Sequence, residues 1–252
     1  MNDGDVIAVW FSCGAASAVA AKKTIETYPN ATVRIVYNPV KEEHIDNLRF
    51  LADVETWLGK KIEIATNPKY PSCSAVEVWG KRKYMAGVKG APCTYELKKR
   101  ARQIWEESNH VDWHVLGFTA EERRRADRFI MGERENMIPI LIELGITKPR
   151  CFYILEEAGL TPPAIYRMGY PNANCIGCVK VTSPTYWNLV RQTHPETFSE
   201  RCVQSRAIGC KLVEVGATRI FLDELSPSTN GGPLKNIDFE CGIFCEPERI
   251  EQ

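Results

Sequence analysis

Ten cysteines and four histidines stand in a chain of 252 residues, and two of the cysteines sit at a spacing that supports chemistry. Asn174-Cys175-Ile176-Gly177-Cys178-Val179-Lys180 holds a Cys-x-x-Cys pair. That spacing lets two thiolates converge on one metal or cluster, while the glycine between them relieves the tight turn. A pair of this kind also serves as a dithiol redox couple, although here it neither follows a first strand nor opens a helix on its second cysteine. Zinc and a [4Fe–4S] cluster each take about four ligands, so two further donors must come from elsewhere in the chain. The scarcity of histidine argues against a histidine-rich zinc hydrolase. In a reducing compartment a cysteine excess points to metal or redox chemistry rather than a disulfide framework. Cys13, Cys151, Cys202 and Cys210 are assigned to packing.

A second chemical feature lies near the start. Ser12-Cys13-Gly14-Ala15-Ala16-Ser17 follows an apolar run and precedes an alanine-rich segment. Small residues, backbone freedom and two hydroxyls at a helix N-terminus suit a phosphate or sulfate, because exposed N–H groups and the macrodipole both favour an anion. The loop is neither GxxxxGK[ST] nor GxGxxG, and tight packing alone would also explain it. Two basic clusters follow: Lys98, Lys99, Arg100 and Arg102, then Arg123, Arg124, Arg125 and Arg128. Guanidinium forks match phosphate and sulfate oxygens bidentately. The alternative is a pair of solvated helix faces, with Glu121 and Glu122 neutralising Arg125 at helical spacing.

Four segments together resemble the phosphoadenosine phosphosulfate (PAPS) reductase family of the adenine-nucleotide α-hydrolase-like superfamily. The turn 12–17 is similar to that superfamily's modified P-loop, SGGxDS, with Cys13 for the first glycine and Ala16 for the aspartate. Ala91-Pro92-Cys93-Thr94-Tyr95-Glu96-Leu97-Lys98-Lys99 resembles the cysteine-then-lysine segment, Gly117-Phe118-Thr119-Ala120-Glu121-Glu122-Arg123-Arg124-Arg125 the glycine, acidic and arginine motif. Glu240-Cys241-Gly242-Ile243 resembles the ECGLH tail, with Phe244 for the histidine and a second cysteine, Cys245, after it. The resemblance implies nucleotide binding by Ser12, Gly14, Ala15, Ser17, Lys98, Gly117, Glu122, Arg124 and Arg125. It implies a cluster held by Cys93, Cys175 and Cys178, with Cys245 ranked first as fourth ligand ahead of Cys241, Cys73 or a non-cysteine donor, and zinc as the alternative to [4Fe–4S].

The leading expectation is reduction of an adenine sulfonucleotide, PAPS or adenosine phosphosulfate (APS), to sulfite. Cys241 is then the catalytic nucleophile and a thioredoxin-like thiol the donor. The alternative is an ATP-using sulfur-transfer enzyme that adenylates a nucleic acid or small molecule; loss of the acidic residue at Ala16 counts against it. A non-catalytic nucleotide-binding module is the third reading, and a homodimer is left open.

The elements that must position these residues follow from hydrophobic pattern. Val6-Ile7-Ala8-Val9-Trp10-Phe11 is continuously apolar, as a strand buried on both faces is. Strands at 32–37 and 61–65, helices at 43–58 and 121–130, and a strand at 111–118 give alternating β and α elements. That pattern predicts parallel strands with right-handed crossovers. The fold class expected is α/β: a doubly wound, mainly parallel, Rossmann-like sheet over 1–146, and a helical, loop-rich C-terminal cap over 147–252 where prolines crowd. His44, Asp46 and Asn47 fall in the loop after the second strand, and Tyr166, Tyr170, Tyr186 and Trp187 suit either the core or base stacking.

Composition agrees with an ordinary globular chain: 32 basic and 32 acidic residues, and 44% hydrophobic. Zero net charge disfavours broad coating of nucleic acid. No apolar run approaches the roughly 20 residues of a membrane span. The acidic start at Met1-Asn2-Asp3-Gly4-Asp5 lacks the order of a secretory signal, so a cytoplasmic location is expected.

Overall fold

The structure is a computed structural model; it describes residues 2–87 and 90–234. The chain separates into two compact units, each assembled from distant stretches. One comprises Met1–Pro39, Ile45–Thr66 and Arg102–Ala164; the other comprises Val40–His44, Asn67–Ala101 and Ile165–Gln252. The stretches 40–44 and 67–101, which the linear reading placed with the sheet, therefore belong with the C-terminal part, and 147–164 belong with the sheet.

The first unit is a doubly wound α/β layer. Strands β1 (Val6–Phe11), β2 (Thr32–Tyr37), β3 (Ile62–Ile64), β4 (Trp113–Val115) and β5 (Met137–Ile138) form a parallel sheet in the order β3-β2-β1-β4-β5. The continuous apolar run of β1 is explained by its central place, with Ile7 through Phe11 all buried. Helix α1 (Ala15–Thr27) presents Ala15, Ala18, Val19, Ala20 and Ala21 to the core, side chains small enough for close approach of helix and sheet. Helix α2 (Asp46–Leu58) ends at Gly59, whose left-handed φ of 63° closes the last turn. The expected strand at 111–118 is shorter, because only Trp113, His114 and Val115 pair with β1. The expected helix at 121–130 begins as a 3-10 turn, Ala120–Glu122, and continues as the helix Arg123–Gly132.

The second unit is helical and rich in loops. Helix α3 (Ala75–Arg82) and the helices Pro184–Thr193 and Pro195–Ile208 surround a core that includes Tyr70, Trp79, Met85, Tyr186 and Trp187. A two-stranded antiparallel hairpin, β6 (Val213–Val215) with β7 (Thr218–Ile220), closes it. Among the described residues no helix is long and apolar enough to cross a membrane.

Candidate functional site

In open parallel sheets ligands bind beyond the carboxyl ends of the strands, where the strand order reverses. Here the chain runs from β1 outward through β2 to β3, then returns to β4 on the other side of β1. The reversal falls between β1 and β4, and the two loops leaving those strands are 12–14 and 116–119.

The first loop is braced from within. The Ser17 hydroxyl accepts from the Ser12 backbone N–H and from the Ser12 hydroxyl, both at 3.1 Å, and donates to the Gly14 carbonyl at 2.9 Å. Cys13 is fully buried at a φ of 55°, a conformation glycine adopts freely and other residues rarely. Gly14 precedes α1 in extended geometry, and no side chain caps that helix. The turn therefore brings backbone to the start of α1 while Ser12 remains exposed. The second loop touches the first: a Cβ on Gly117 would lie 2.8 Å from the Ser17 backbone N and 2.9 Å from its Cα. Only glycine allows this approach, so the two loops form one surface at the switch point.

Beyond Gly117, Glu122 accepts from the Thr119 N–H at 2.9 Å and from the Thr119 hydroxyl at 3.1 Å. It also pairs with Arg125, whose guanidinium lies 5.1 Å over the Phe118 ring. Glu122 thus braces the loop and holds Arg125, and Arg124 next to it is exposed. Asp46 is engaged elsewhere: it pairs with Arg49 at 2.7 Å and accepts from the Ala164 N–H at 2.7 Å.

Lys98 belongs to the second unit, in a π-helical turn, Tyr95–Lys99, that follows the short helix Pro92–Thr94. Its ammonium lies 3.3 Å from the Glu43 carboxylate, and both side chains are largely buried. In the same unit Glu42 accepts from the Ser74 hydroxyl at 2.6 Å and the Ala75 N–H at 2.8 Å, while its own carbonyl accepts from the Ile176 N–H at 2.9 Å. The segment 40–44 therefore anchors both α3 and the Cys-x-x-Cys turn. Glu42 and Glu43 escaped sequence reasoning because nothing about two glutamates after a strand signals long-range contacts.

The Cys-x-x-Cys turn is built around Tyr186. The Tyr186 hydroxyl accepts from the Cys178 N–H at 2.7 Å and donates to the Cys175 carbonyl at 3.3 Å. Burial pushes the Tyr186 phenol well above its ordinary range, so it stays a neutral donor and acceptor. Gly177 takes a φ of 67° and would clash mildly with Thr197 and Arg201 if it carried a Cβ. Arg201 is 1% exposed, lies 4.8 Å over the Trp79 ring, and donates to the Gly177 carbonyl at 3.4 Å. Arg201 thus braces the backbone between the two cysteines. Cys93 and Cys175 pack against the same core cluster that contains Cys178. Tyr170, Tyr186 and Trp187 are core residues.

Among the described residues no group of three or more His, Cys, Asp or Glu side chains could hold a metal ion, and no disulfide is formed. The described residues alone therefore do not fit a zinc ion or a [4Fe–4S] cluster. Cys241 and Cys245, expected as nucleophile and fourth ligand, lie outside the described residues.

No protein-family model matches the chain, and no curated protein matches it. Among solved structures it is similar to the U34-tRNA thiolase NcsA from Methanococcus maripaludis with its [4Fe–4S] cluster. The identity is 13%, covering 82% of this chain and 73% of that one, with a TM-score of 0.41. A likeness of that degree bears on neither substrate nor chemistry.

Proposed function

We propose that this protein is an adenine-nucleotide-dependent sulfur-transfer enzyme, with ATP as the nucleotide. The observation that carries the reading is the contact between Gly117 and the Ser17 backbone at the strand-order reversal, which joins the start of α1 to the loop leading into the Arg124 and Arg125 helix. Backbone N–H groups there would receive the phosphates, and Arg124 would add a mobile guanidinium. An acceptor oxygen attacks the α-phosphorus, pyrophosphate leaves, and a sulfur nucleophile then displaces AMP. Among the described thiols Cys93, Cys175 and Cys178 would carry the sulfur: a persulfide charged by an external sulfane-sulfur donor displaces AMP, and a second thiol then cleaves the resulting S–S bond, freeing the thiolated product and leaving a disulfide that an external thiol reduces. Ala16 leaves this turn without a carboxylate, so pyrophosphate must depart without one there.

Sulfonucleotide reduction is the second reading, favoured by Glu240-Cys241-Gly242-Ile243. One experiment separates the two. The purified protein is given ATP with candidate sulfur acceptors, and separately PAPS or APS with a dithiol donor. Pyrophosphate release that is lost in Gly117→Ala and weakened in Ser12→Ala supports the first reading, provided circular dichroism shows folded variants. Sulfite release abolished by Cys241→Ser supports the second. Nucleotide binding without either product overturns both and leaves a binding module.

A further inference from the structure

Sulfur transfer through thiols divides the work between two of them. One must be reachable by a donor in solution, and the other must lie close enough to the first to close a disulfide. Cys175 and Cys178 meet both conditions, each in a different place.

Their separation follows from the backbone. Ile176 and Gly177 are the central residues of a four-residue turn. Gly177 stands third in it at a φ of 67°, the position where a type II turn requires glycine. The Tyr186 hydroxyl bridges the two ends, accepting from the Cys178 N–H at 2.7 Å and donating to the Cys175 carbonyl at 3.3 Å. A β-turn keeps its end Cα atoms within about 7 Å, and a disulfide spans about 4.4–6.8 Å between Cα atoms. The two sulfurs can therefore be joined within the turn itself. Cys93 belongs to a separate short helix, Pro92–Thr94.

Their accessibility differs. Cys175 is half-buried, whereas Cys178 is 8% exposed and lies within the core of the second unit. Attack on a donor in solution is open to the first and obstructed at the second.

We infer that Cys175 is the sulfur carrier and Cys178 the resolving thiol, an assignment that rests on the sulfur-transfer reading and orders its steps. The Cys175 thiolate attacks the terminal sulfur of a persulfide donor; the donor's S–S bond breaks, its thiol leaves, and a persulfide forms on Cys175. The terminal sulfur of that persulfide displaces AMP from the activated acceptor. The Cys178 thiolate then attacks the Cys175 sulfur, and the bond to the acceptor's sulfur breaks. Thiolated product leaves with the electron pair, and a Cys175–Cys178 disulfide remains. Two electrons have passed from the dithiol to the transferred sulfur, and an external thiol restores them.

The order of the two thiols can be read without nucleotide. Reduced protein is treated with glutathione persulfide, quenched with an alkylating agent and mapped by peptide mass spectrometry. With no acceptor present, Cys178 attacks the Cys175 persulfide and hydrosulfide leaves. Wild-type protein is expected to end as the Cys175–Cys178 disulfide, with about one sulfide released per chain. Cys178→Ser should retain the extra sulfur on Cys175 and lose the disulfide. Cys175→Ser should lose the disulfide and gain no persulfide at Cys178. Thermal melts check the fold of both variants. Brief alkylation of untreated wild type reads the order without a substitution, since Cys175 should be labelled before Cys178. Extra sulfur on Cys178 in place of Cys175, a disulfide from Cys175 to Cys93, or earlier labelling of Cys178 overturns the assignment. Loss of pyrophosphate release would leave all these signals in place, so a failed ATP reading is seen separately.

Discussion

The two units hold their candidate sites by different means. In the sheet unit, position follows from backbone: parallel register sets where β1 and β4 end, and the approach of Gly117 to Ser17 fuses their loops. In the second unit, position follows from side chains reaching across the sequence. Glu42 holds α3 and the cysteine turn, Tyr186 holds that turn from the other side, and Glu96 ties Arg82 to Asn67. A site held by register tolerates many side-chain changes, whereas one held by buried polar groups should fail when a single partner is removed.

The largest effect expected from that difference is at Arg82. Its guanidinium pairs with Glu96, a carboxylate 3% exposed that also accepts from Asn67 Nδ2 at 3.0 Å. Arg82→Ala leaves that carboxylate buried without its cation, a loss of about 3–5 kcal/mol. Urea unfolding at neutral pH measures it. A loss below about 1 kcal/mol would mean that the side-chain network is incidental and that the contrast between the units is false.

The sheet unit has one buried polar cluster of its own, and it sharpens the comparison. Trp10 Nε1 donates to His114 Nδ1 at 3.1 Å, and the Arg134 guanidinium lies 2.6 Å from His114 Nε2. Burial, then the charges of Arg134 and Arg102, pushes His114 down from its ordinary 6.5 to about 3. Nδ1 accepts from Trp10, and burial beside two guanidinium charges disfavours a second proton on the ring, so the fold favours the uncharged form. A depressed histidine contributes stability that is complete above pH 6.5 and is lost as pH falls toward 3. Between pH 7 and pH 4.5 the loss is about 3 kcal/mol at 1.36 kcal/mol per unit. Urea unfolding of the wild type and of His114→Gln at both pH values isolates it. Parallel acid losses in the two proteins would exclude His114 as the cause.

This contrast also governs what could be read from the sequence. The parallel α/β layer was legible because β1 is a continuous apolar run and helix and strand alternate at regular spacing. The strand-to-helix turn at 12–17 was legible because small residues separate an apolar run from an alanine-rich segment. What stayed hidden has no local signature. The transfer of 40–44 and 67–101 to the second unit depends on Glu42 and Asn67 finding partners 30 or more residues away or nearly so. Lys83, Lys180, Lys211 and Arg219 line one cavity though they lie far apart in the chain, whereas the basic runs that stood out in the sequence were close together on helices. Lys98 looked like a ligand for an anion because the partner that claims it, Glu43, lies 55 residues earlier.

The smallest effect expected is at Tyr186, and it bears most directly on the thiols. Tyr186→Phe keeps the ring that packs among Tyr170 and Trp187 but removes the hydroxyl. The Cys178 N–H then loses its acceptor and the Cys175 carbonyl a donor, costing about 1–2 kcal/mol. The consequence for the site exceeds that figure, since the hydroxyl spans both ends of the Cys-x-x-Cys turn. Cys178 is 8% exposed in the intact turn, so its alkylation should accelerate in the variant. Cys151 supplies an internal standard: it is fully buried, with a thiol pushed up to about 12, and should stay unlabelled in both proteins. Mass spectrometry of the alkylated peptides reads both positions at once. If Cys178 reacts at the wild-type rate, then the Glu42 carbonyl and Arg201 suffice to fix the turn. The second unit would then hold its thiols by several redundant anchors rather than by one hydroxyl.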